Sequence, residues 1–264
     1  MTWLAALPMY NVSSRLRLAY ETFLAALLVQ ADVGEPVDIV RDAALPDIWR
    51  EPDLLLSQTC GYPYITALRS HVTLLATPCF DVSGCAGSDY SSVIVARTGS
   101  GIATLADARG RAAAVNDVHS NSGMNALRHA VAPLARDGRF FADVTWSGSH
   151  AASLRLVREG AADIAAIDCV TFAYLQEEDP ASVEDVVTLG FTAASPGLPL
   201  VASKAVPEAV VQCLRAALLA PGPALCEALA PLRIRGFVHR DDADYARIGR
   251  MEQEAAALGY PALR

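Results

Sequence analysis

Short apolar runs alternate with amphipathic helical patterns along the whole chain. The runs DLLLSQT and ADIAAID have the length and apolar content of buried strands, and WLAALPMY is similar at the start of the chain. The stretch RLRLAYETFLAALLVQ repeats apolar positions at helical spacing and follows Ser13 and Ser14, either of which is a suitable N-cap. MNALRHAVAPLA and HAASLRLVREG show the same helical spacing. This alternation predicts an α/β fold built on a sheet.

The same pattern places further elements between these. Strands are predicted at VDIVRD, HVTLLATP, SSVIVAR, RAAAVN, FADVTW, VVTLGFT and LPLVASK. Helices are predicted at YITALRS, after Asp168, and at about 207–230 and 241–257. The alternation alone fits a single doubly wound domain as well as two lobes.

Polar motifs follow the predicted strands at the points where the strands end. These motifs are Pro8–Tyr10, Gln58–Gly61, Asn116–Gly123, Ser147–His150 and Asp168. In open α/β sheets ligands bind beyond the carboxyl ends of the strands, so we expect these loops to share one cleft.

The stretch NDVHSNSGMNALRHA opens a predicted helix with hydroxyl and amide groups and has no carboxylate in the first turn. Backbone N–H groups at a helix start lack intrahelical partners and carry partial positive charge. Ser120, Asn121 and Ser122 add side-chain donors, and Gly123 allows close approach to the backbone. The motif therefore suits a tetrahedral oxyanion such as a phosphoryl group. An ordinary Ser/Asn N-cap is the alternative explanation.

His150 and Asp168 lie where two other predicted strands give way to helices. A histidine at the start of a helix can donate to an anion, and an anion that raises its pKa would hold it as a cation. A carboxylate at the end of the apolar strand ADIAAID is unexpected, and it can accept a hydrogen bond from a protonated P–OH group or a ligand ammonium group. Each residue also has a simpler explanation as a helix cap.

In the first half of the chain, SQTCGYPY supplies the candidates Gln58 and Cys60 at a strand end. Cys60 is a possible nucleophile opposite His150, but a small thiol packed under a turn is the simpler explanation. Tyr10, Tyr62 and Tyr90 are candidates to contact an organic substituent of the ligand, although each is also a typical core residue.

Charge and length narrow the classes of function. The 264 residues carry a net charge of −8, which argues against nucleic-acid binding but leaves room for a small anion at a locally positive site. No apolar stretch is long enough to predict membrane insertion. MTWLAALPMYN lacks the basic region of a signal peptide, so we expect a periplasmic protein if a leader was removed and a cytoplasmic one otherwise.

The six cysteines include no CxxC pair, so no zinc site is predicted. No other metal site and no cofactor is predicted. Cys79 and Cys85 either form a small disulfide-closed loop in an oxidising compartment or stay as two reduced thiols.

Several motifs occur in a specific order: LLLSQTCGYPY, DYSSVIVAR, NSGMNALR, GSHAASLRLVREGAADIAAIDCVTF and SPGLPLVAS. Together they resemble the phosphate/phosphonate-type substrate-binding proteins of ABC transporters, a branch of the type 2 periplasmic binding proteins. The resemblance extends from the first strand to the final helical pattern YARIGRMEQEAAALGY.

The resemblance implies an α/β fold of two lobes joined by two crossover hinge strands, with a ligand trapped between the lobes. Lobe one would comprise residues 1–92 plus 197–264, and lobe two residues 93–196. By motif, Ser120, Asn121, Ser122 and Gly123 match the family's anion-binding helix start, His150 its anion-contacting histidine and Asp168 its carboxylate position. Tyr10, Gln58 and Cys60 would face them from lobe one, with Tyr90 near the first crossing.

The resulting hypothesis is a monomeric solute-binding protein, and not an enzyme, for a phosphonate, phosphite or phosphate anion, with an ABC permease as its partner. Two departures from the family stand out: the absence of a signal peptide, and a lobe-one wall that lacks a clear match to the tyrosine-rich wall of typical phosphonate binders. The alternatives are a cytoplasmic enzyme that uses Cys60 and His150, and a cytoplasmic ligand sensor on the same fold.

Overall fold

The computed structural model describes residues 2–264, and the chain divides into two compact units. The first unit contains the residues through Asp81, together with Ala86–Asp89 and Pro196–Tyr245. The second unit contains Val82–Cys85, Tyr90–Ser195 and Ala246–Arg264. Short strands lie where the chain passes from one unit to the other, at Cys85–Ala86, Asp89–Tyr90 and Ser195–Pro196.

The first unit is built on a six-stranded mixed sheet. In spatial order its strands are Ile234–Val238, Val72–Phe80, Leu200–Ser203, Leu54–Gln58, Trp3–Ala6 and Val37–Ile39. Trp3–Ala6 pairs in parallel with both of its neighbours, so the carboxyl ends of these three strands lie at one edge. Leu54–Gln58 is buried on both faces, which explains its uninterrupted apolar start.

Helices Ser14–Gln30, Glu208–Leu219 and Pro223–Leu229 belong to this unit, as do the short helical turns Asp47–Arg50, Gly61–Pro63, Tyr64–Leu68 and Ala230–Leu232. The first helix begins where Ser13 accepts a hydrogen bond from Leu16 N at 3.1 Å, as the sequence predicts. It buries Leu16, Tyr20 and Phe23 on one face. Phe23 stacks on Phe237 of the sheet, with ring centroids 5.9 Å apart.

The second unit has a five-stranded sheet. Its strands, in spatial order, are Val186–Phe191, Ser92–Arg97, Ile164–Asp168, Ala112–Val115 and Asp143–Trp146. The last three strands run in parallel, and Ser92–Arg97 runs antiparallel to Ile164–Asp168. The carboxyl ends of three strands and the start of a fourth therefore lie at one edge.

The helical segments of the second unit are Leu105–Ala108, Asn121–Asn125, Ala126–Val131, Ala132–Leu134, His150–Arg158, Cys169–Glu178 and Pro180–Val183. The final helix, Asp242–Ala257, begins in the first unit and ends in the second.

Most predicted elements are confirmed, and the errors have local causes. The single helix predicted at about 207–230 is two helices, because Pro221 and Gly222 interrupt the hydrogen bonding between them. The strand Ile234–Val238 was missed, since its exposed Arg235 and its Gly236 weaken the apolar pattern. The predicted strand WLAALPMY ends at Ala6, before Pro8.

The observed division differs from the predicted lobes mainly at the end of the chain. Residues 246–264 group with the second unit, whereas the sequence placed them in lobe one. Arg128 and Asn125 bind backbone carbonyl groups of Pro261 and Ile248, which explains the grouping.

Within residues 2–264, no single helix has both the length and the apolar character needed to cross a bilayer. Helices Glu208–Leu219 and Pro223–Leu232 meet the length and hydropathy criteria only as a pair, and they are bent by 72°.

Candidate anion-binding site

The sheet of the second unit brings six of the predicted site residues to one edge: Ser120, Asn121, Ser122, Gly123, His150 and Asp168. Helix starts at Ser120–Asn121, at His150 and after Asp168 each follow one of the three parallel strands. The antiparallel strand begins at this edge with Ser92, which pairs with Asp168.

The helix start Ser120–Gly123 is buried, although its residues are almost all polar. Ser120 is the N-cap: its Oγ accepts a hydrogen bond from Gly123 N at 3.0 Å and lies 3.3 Å from Ser122 Oγ. The backbone of Ser122 is fixed from the sheet by Ser92, whose hydroxyl donates to Ser122 O at 3.0 Å. The N-cap alternative and the anion-binding alternative are therefore compatible, because Ser120 caps the helix while Ser122 contacts other groups.

Gly123 is required by close packing. A Cβ atom at this position would overlap Oδ1 of Asn116 and would lie 3.3 Å from Cε1 of His150. Asn116 Oδ1 is buried and has no hydrogen-bond partner among the described residues. Gly123 thus allows the Asn116 and His150 side chains to approach the helix start.

Ser122 and His150 form the central polar pair of the edge. Ser122 Oγ lies 2.9 Å from Nε2 of His150, and the tautomer of the imidazole decides which atom donates. Burial lowers the pKa of His150 to about 4, and a contact with the backbone of Ala166 opposes this shift only partly. Nδ1 is buried and has no partner of normal hydrogen-bond geometry within the described chain.

His150 is therefore neutral at pH 7, whereas the sequence analysis included a cation held by a bound anion. With the proton on Nε2, His150 donates to Ser122 Oγ, and the Ser122 hydroxyl proton is then available to an external acceptor. In this tautomer, His150 donates to Ser122 and Ser122 donates to an external acceptor, and neither group carries a charge.

Asn121 connects the helix start to a buried polar network that the sequence did not predict. Its Nδ2 donates to Ser195 Oγ at 2.8 Å and to Tyr90 OH at 3.1 Å. Its Oδ1 accepts from Asn125 Nδ2 at 3.0 Å. The buried guanidinium of Arg128 in turn donates to Asn125 Oδ1 at 2.7 Å. Tyr90 is therefore bound to the helix start through its hydroxyl group.

The sequence contained a signal for this network. Asn121, Asn125 and Arg128 have the spacing i, i+4 and i+7, which places them on one face of a helix. The burial of that face is visible only in the structure. Arg128 also forms an ion pair with Glu252 at 3.3 Å, and Asn125 alone lies between its guanidinium and Asn121 in the network.

Asp168 caps the helix Cys169–Glu178. Its Oδ1 accepts hydrogen bonds from Val170 N at 2.8 Å and Thr171 N at 3.1 Å, and its side chain is buried. The simpler explanation from the sequence, a helix cap, is thus seen directly. A role of the carboxylate toward a ligand stays a prediction.

The first unit contains the other three predicted residues, all buried at the carboxyl edge of its sheet. Tyr10 packs edge-on against Phe80 with ring centroids 5.5 Å apart. Gln58 donates from Nε2 to Leu198 O at 3.2 Å. Cys60 is 7% exposed and precedes the short helix Gly61–Pro63. Within the described residues, no group of three or more His, Cys, Asp or Glu side chains is arranged to hold a metal ion.

Solved structures with low sequence identity share this fold. A binding-protein component of an ABC phosphonate transporter from Pseudomonas aeruginosa is 18% identical with a TM-score of 0.80, and the match covers 98% of this chain and 87% of that one. PhnD1 from Prochlorococcus marinus, in complex with methylphosphonate, is 16% identical with a TM-score of 0.80, covering 97% and 98%. A Xanthomonas citri protein bound to chloride ion is 18% identical with a TM-score of 0.71, covering 98% of each chain.

These similarities define the class: the chain has the α/β fold of the two-lobed periplasmic binding proteins. The sequence profile of the family described as "ABC transporter, phosphonate, periplasmic substrate-binding protein" matches residues 13–245. The chain belongs to this family of ABC phosphonate-transporter substrate-binding proteins. No curated protein matches the chain.

Family membership confirms the main functional prediction. The protein has a solute-binding role in ABC-type uptake, with a small-molecule ligand and an ABC permease as the partners that the family implies. The family is non-enzymatic and normally periplasmic.

Proposed function

We propose that the ligand is a small phosphorus oxyanion and that the helix start Ser120–Gly123 binds it with Ser122 and His150. The observation that carries this proposal is the 2.9 Å contact between Ser122 Oγ and His150 Nε2 beside a buried helix start that has no acidic residue in its first turn. Hydroxyl groups and helix-start amides are suited to bind an oxyanion without a full positive charge.

The network behind the helix start supports the same ligand. Asn121 is held on both sides of its amide group, so the first turn is fixed before a ligand arrives. A preorganised site avoids the cost of ordering its donors on binding. The buried guanidinium of Arg128, which is paired with Glu252, holds Asn125 and so stabilises the support of the helix start.

We propose that Asp168 selects phosphorus anions that carry a proton. A monoprotonated phosphonate, phosphite or phosphate can donate its P–OH to a carboxylate, whereas a fully ionised sulfonate has no proton to donate. The carboxylate would repel a sulfonate without a compensating hydrogen bond.

We further propose two lobes that follow the two compact units, so that residues 246–264 belong to lobe two. In this proposal Tyr10, Gln58 and Cys60 are lobe-one ligand contacts and Tyr90 lies near the crossing. In this proposal the protein is a monomer and Cys60 is a packing residue and not a nucleophile. Its 7% exposure supports the packing role. Slow alkylation of Cys60 at neutral pH would agree with this assignment, and fast alkylation would favour the enzyme alternative.

Titration calorimetry against methylphosphonate, 2-aminoethylphosphonate, phosphite, phosphate, sulfate and taurine tests the proposed ligand class. We expect saturable binding of at least one phosphorus anion and weaker binding of sulfate and taurine. Tighter binding of taurine than of every phosphorus anion would contradict the proposal.

Asp168→Asn should reduce the ratio of the affinity for phosphorus anions to the affinity for taurine. An amide oxygen accepts the P–OH hydrogen bond less strongly than a carboxylate does, and a neutral amide does not repel the sulfonate.

Ser122→Ala should weaken binding of the preferred anion by roughly 1–3 kcal/mol, because a donor to a charged group is lost. Ser13→Ala is the matched control, since Ser13 caps a helix in the first unit. We expect Ser13→Ala to lower stability and leave affinity unchanged. Equal affinities of the Ser122→Ala variant and the original protein would show that the Ser122 hydroxyl does not bind the anion.

A further inference from the structure

Two thiols lie side by side in the second unit, outside the proposed ligand contacts. Sγ of Cys85 and Sγ of Cys169 are 3.5 Å apart, and neither cysteine is in a disulfide. Cys85 is half-buried and Cys169 is buried. A disulfide bond has an S–S length of about 2.05 Å, so the sulfur atoms need to approach by only about 1.5 Å.

The backbone around the two thiols is already held together. Cys169 N donates to Ser91 O at 3.2 Å, and Ser91 N donates to Gly84 O at 2.9 Å. The Ser91 hydroxyl also donates to Gly84 O, at 2.9 Å. These bonds join the segment that ends at Cys85 to the start of the helix that begins at Cys169.

Gly84 makes this close approach possible. A Cβ atom at Gly84 would lie 2.8 Å from Cβ of Cys169 and 2.7 Å from Cε1 of Phe191, and its φ of +95° also favours glycine. The residue before Cys85 therefore packs directly against the side chain of Cys169.

We propose that Cys85 and Cys169 form an intramolecular disulfide when the protein meets a disulfide oxidant. The bond fixes Val82–Cys85, a four-residue segment of the second unit that lies in sequence between two stretches of the first, to the helix Cys169–Glu178. It closes a long loop of the chain, which restricts the unfolded state. The periplasm, where the family normally functions, is a compartment in which such bonds persist.

The reaction is an ordinary thiol–disulfide exchange. The thiolate of Cys85 attacks one sulfur of the oxidant, forms a mixed disulfide and expels the other half of the oxidant as a thiolate. Cys169 then loses its proton and attacks Sγ of Cys85, which releases the second half. In total the two thiols lose two electrons and two protons, and the oxidant is reduced to two thiols.

The order of the two steps follows from burial. The hydrogen bond with Cys85 raises the pKa of the Cys169 thiol, and burial and the nearby Asp168 raise it further. The half-buried Cys85 is therefore the first nucleophile, and Cys169 completes the bond from within the 3.5 Å contact.

The sequence alone suggested a different partner for Cys85. Cys79 lies in the strand Val72–Phe80 of the first unit and pairs there with Gly236, and no disulfide joins Cys79 to Cys85 in this structure. The contact with Cys169 makes Cys169 the partner that we assign.

Oxidation of the full chain with oxidised glutathione, followed by non-reducing peptide mapping, tests the assignment. A Cys213→Ser/Cys226→Ser background removes two exposed thiols that would form intermolecular bonds. We expect a linked peptide pair that contains Cys85 and Cys169, and a rise of several degrees in the melting temperature that a reductant reverses.

Cys79→Ser in the same background should keep both effects, and Cys85→Ser should abolish both. Because Cys85→Ser leaves the buried Cys169 in place, its outcome does not depend on a change in the core. A Cys79–Cys85 linkage, or a folded and oxidised protein without the Cys85–Cys169 linkage, would overturn the proposal. Neither outcome depends on which ligand the protein binds.

Discussion

At the scale of the residue, the main consequence of folding is the change in His150. The sequence presents a histidine at a helix start, which favours an exposed group that an anion can charge. The structure buries its ring beside Ser122 and Gly123, and the pKa falls to about 4. The same residue is thus a neutral imidazole at pH 7.

The lowered pKa predicts that the protein loses stability in mild acid. The unfolded chain binds a proton at His150 near its ordinary pKa of about 6.5, whereas the folded chain does so only near pH 4. The unfolded state therefore binds more protons between these values. The stability that the neutral His150 contributes is fully present above about pH 6.5 and is lost as the pH falls toward 4. At pH 5 the loss in the free energy of unfolding is roughly 1–2 kcal/mol.

Melting temperatures at pH 7.5 and pH 5 check this prediction. His150→Gln should reduce the difference, and the exposed His71→Gln is the control that should leave it unchanged. An identical acid sensitivity in the His150→Gln variant would mean that other groups cause the loss.

A bound anion should raise the pKa of His150 because it stabilises the charged imidazolium. We therefore expect the ratio of the affinities of the original protein and of His150→Gln to increase as the pH falls from 8 to 5. Calorimetric titrations at several pH values measure this ratio, in which the protonation of the ligand itself cancels. A constant ratio would assign His150 the role of a neutral donor in the complex as well.

At the scale of the element, the helix start is stabilised from behind by side chains of the same helix. Asn121, Asn125 and Arg128 form a hydrogen-bonded line along one buried face, and Ile248 and Pro261 of the terminal segment supply further acceptors. Buried polar lines of this kind are stable only when every member has a partner. The position of the proposed donors therefore depends on residues beyond the first turn.

Asn125→Ala should lower the free energy of unfolding by roughly 1–3 kcal/mol, since it deprives Asn121 and Arg128 of buried partners. It should also weaken anion binding, because the amide of Asn121 is then held from one side only. Thr22→Ala, which removes an exposed hydroxyl from the helix Ser14–Gln30, is the control. Denaturant unfolding and calorimetry on both variants measure the two effects. If the Asn125→Ala variant is less stable but binds the anion with unchanged affinity, the network of Asn121, Asn125 and Arg128 stabilises the fold without positioning the ligand donors.

At the scale of the whole molecule, ligand binding should appear as a shift in thermal stability. A ligand at 100 times its Kd stabilises the folded state by about 2.7 kcal/mol, which corresponds to roughly 5–10 °C for a chain of this size. Differential scanning fluorimetry with the same panel of anions measures the shift. The absence of a shift with every phosphorus anion would point to a different class of ligand.

The hydrophobic pattern by itself determined the α/β class, most strands and helices, and the strand ends at which polar residues cluster. These features are readable because strand and helix periodicities are local properties of the chain. The ordered motifs also indicated the family that the profile confirms. The hydrophobic pattern did not predict the strand Ile234–Val238, because this segment is a strand through its pairing with Val72–Phe80 and not through its composition.

Only the tertiary structure decided which residues meet. Burial lowers the pKa of His150 so that the ring is neutral at pH 7. Long-range packing places Cys85 in contact with Cys169, which lies 84 positions further along the chain. It also turned the polar positions Asn125 and Arg128 into a buried support for the helix start. Burial and long-range contact depend on how distant segments pack together, and the local pattern of a sequence carries no record of that packing.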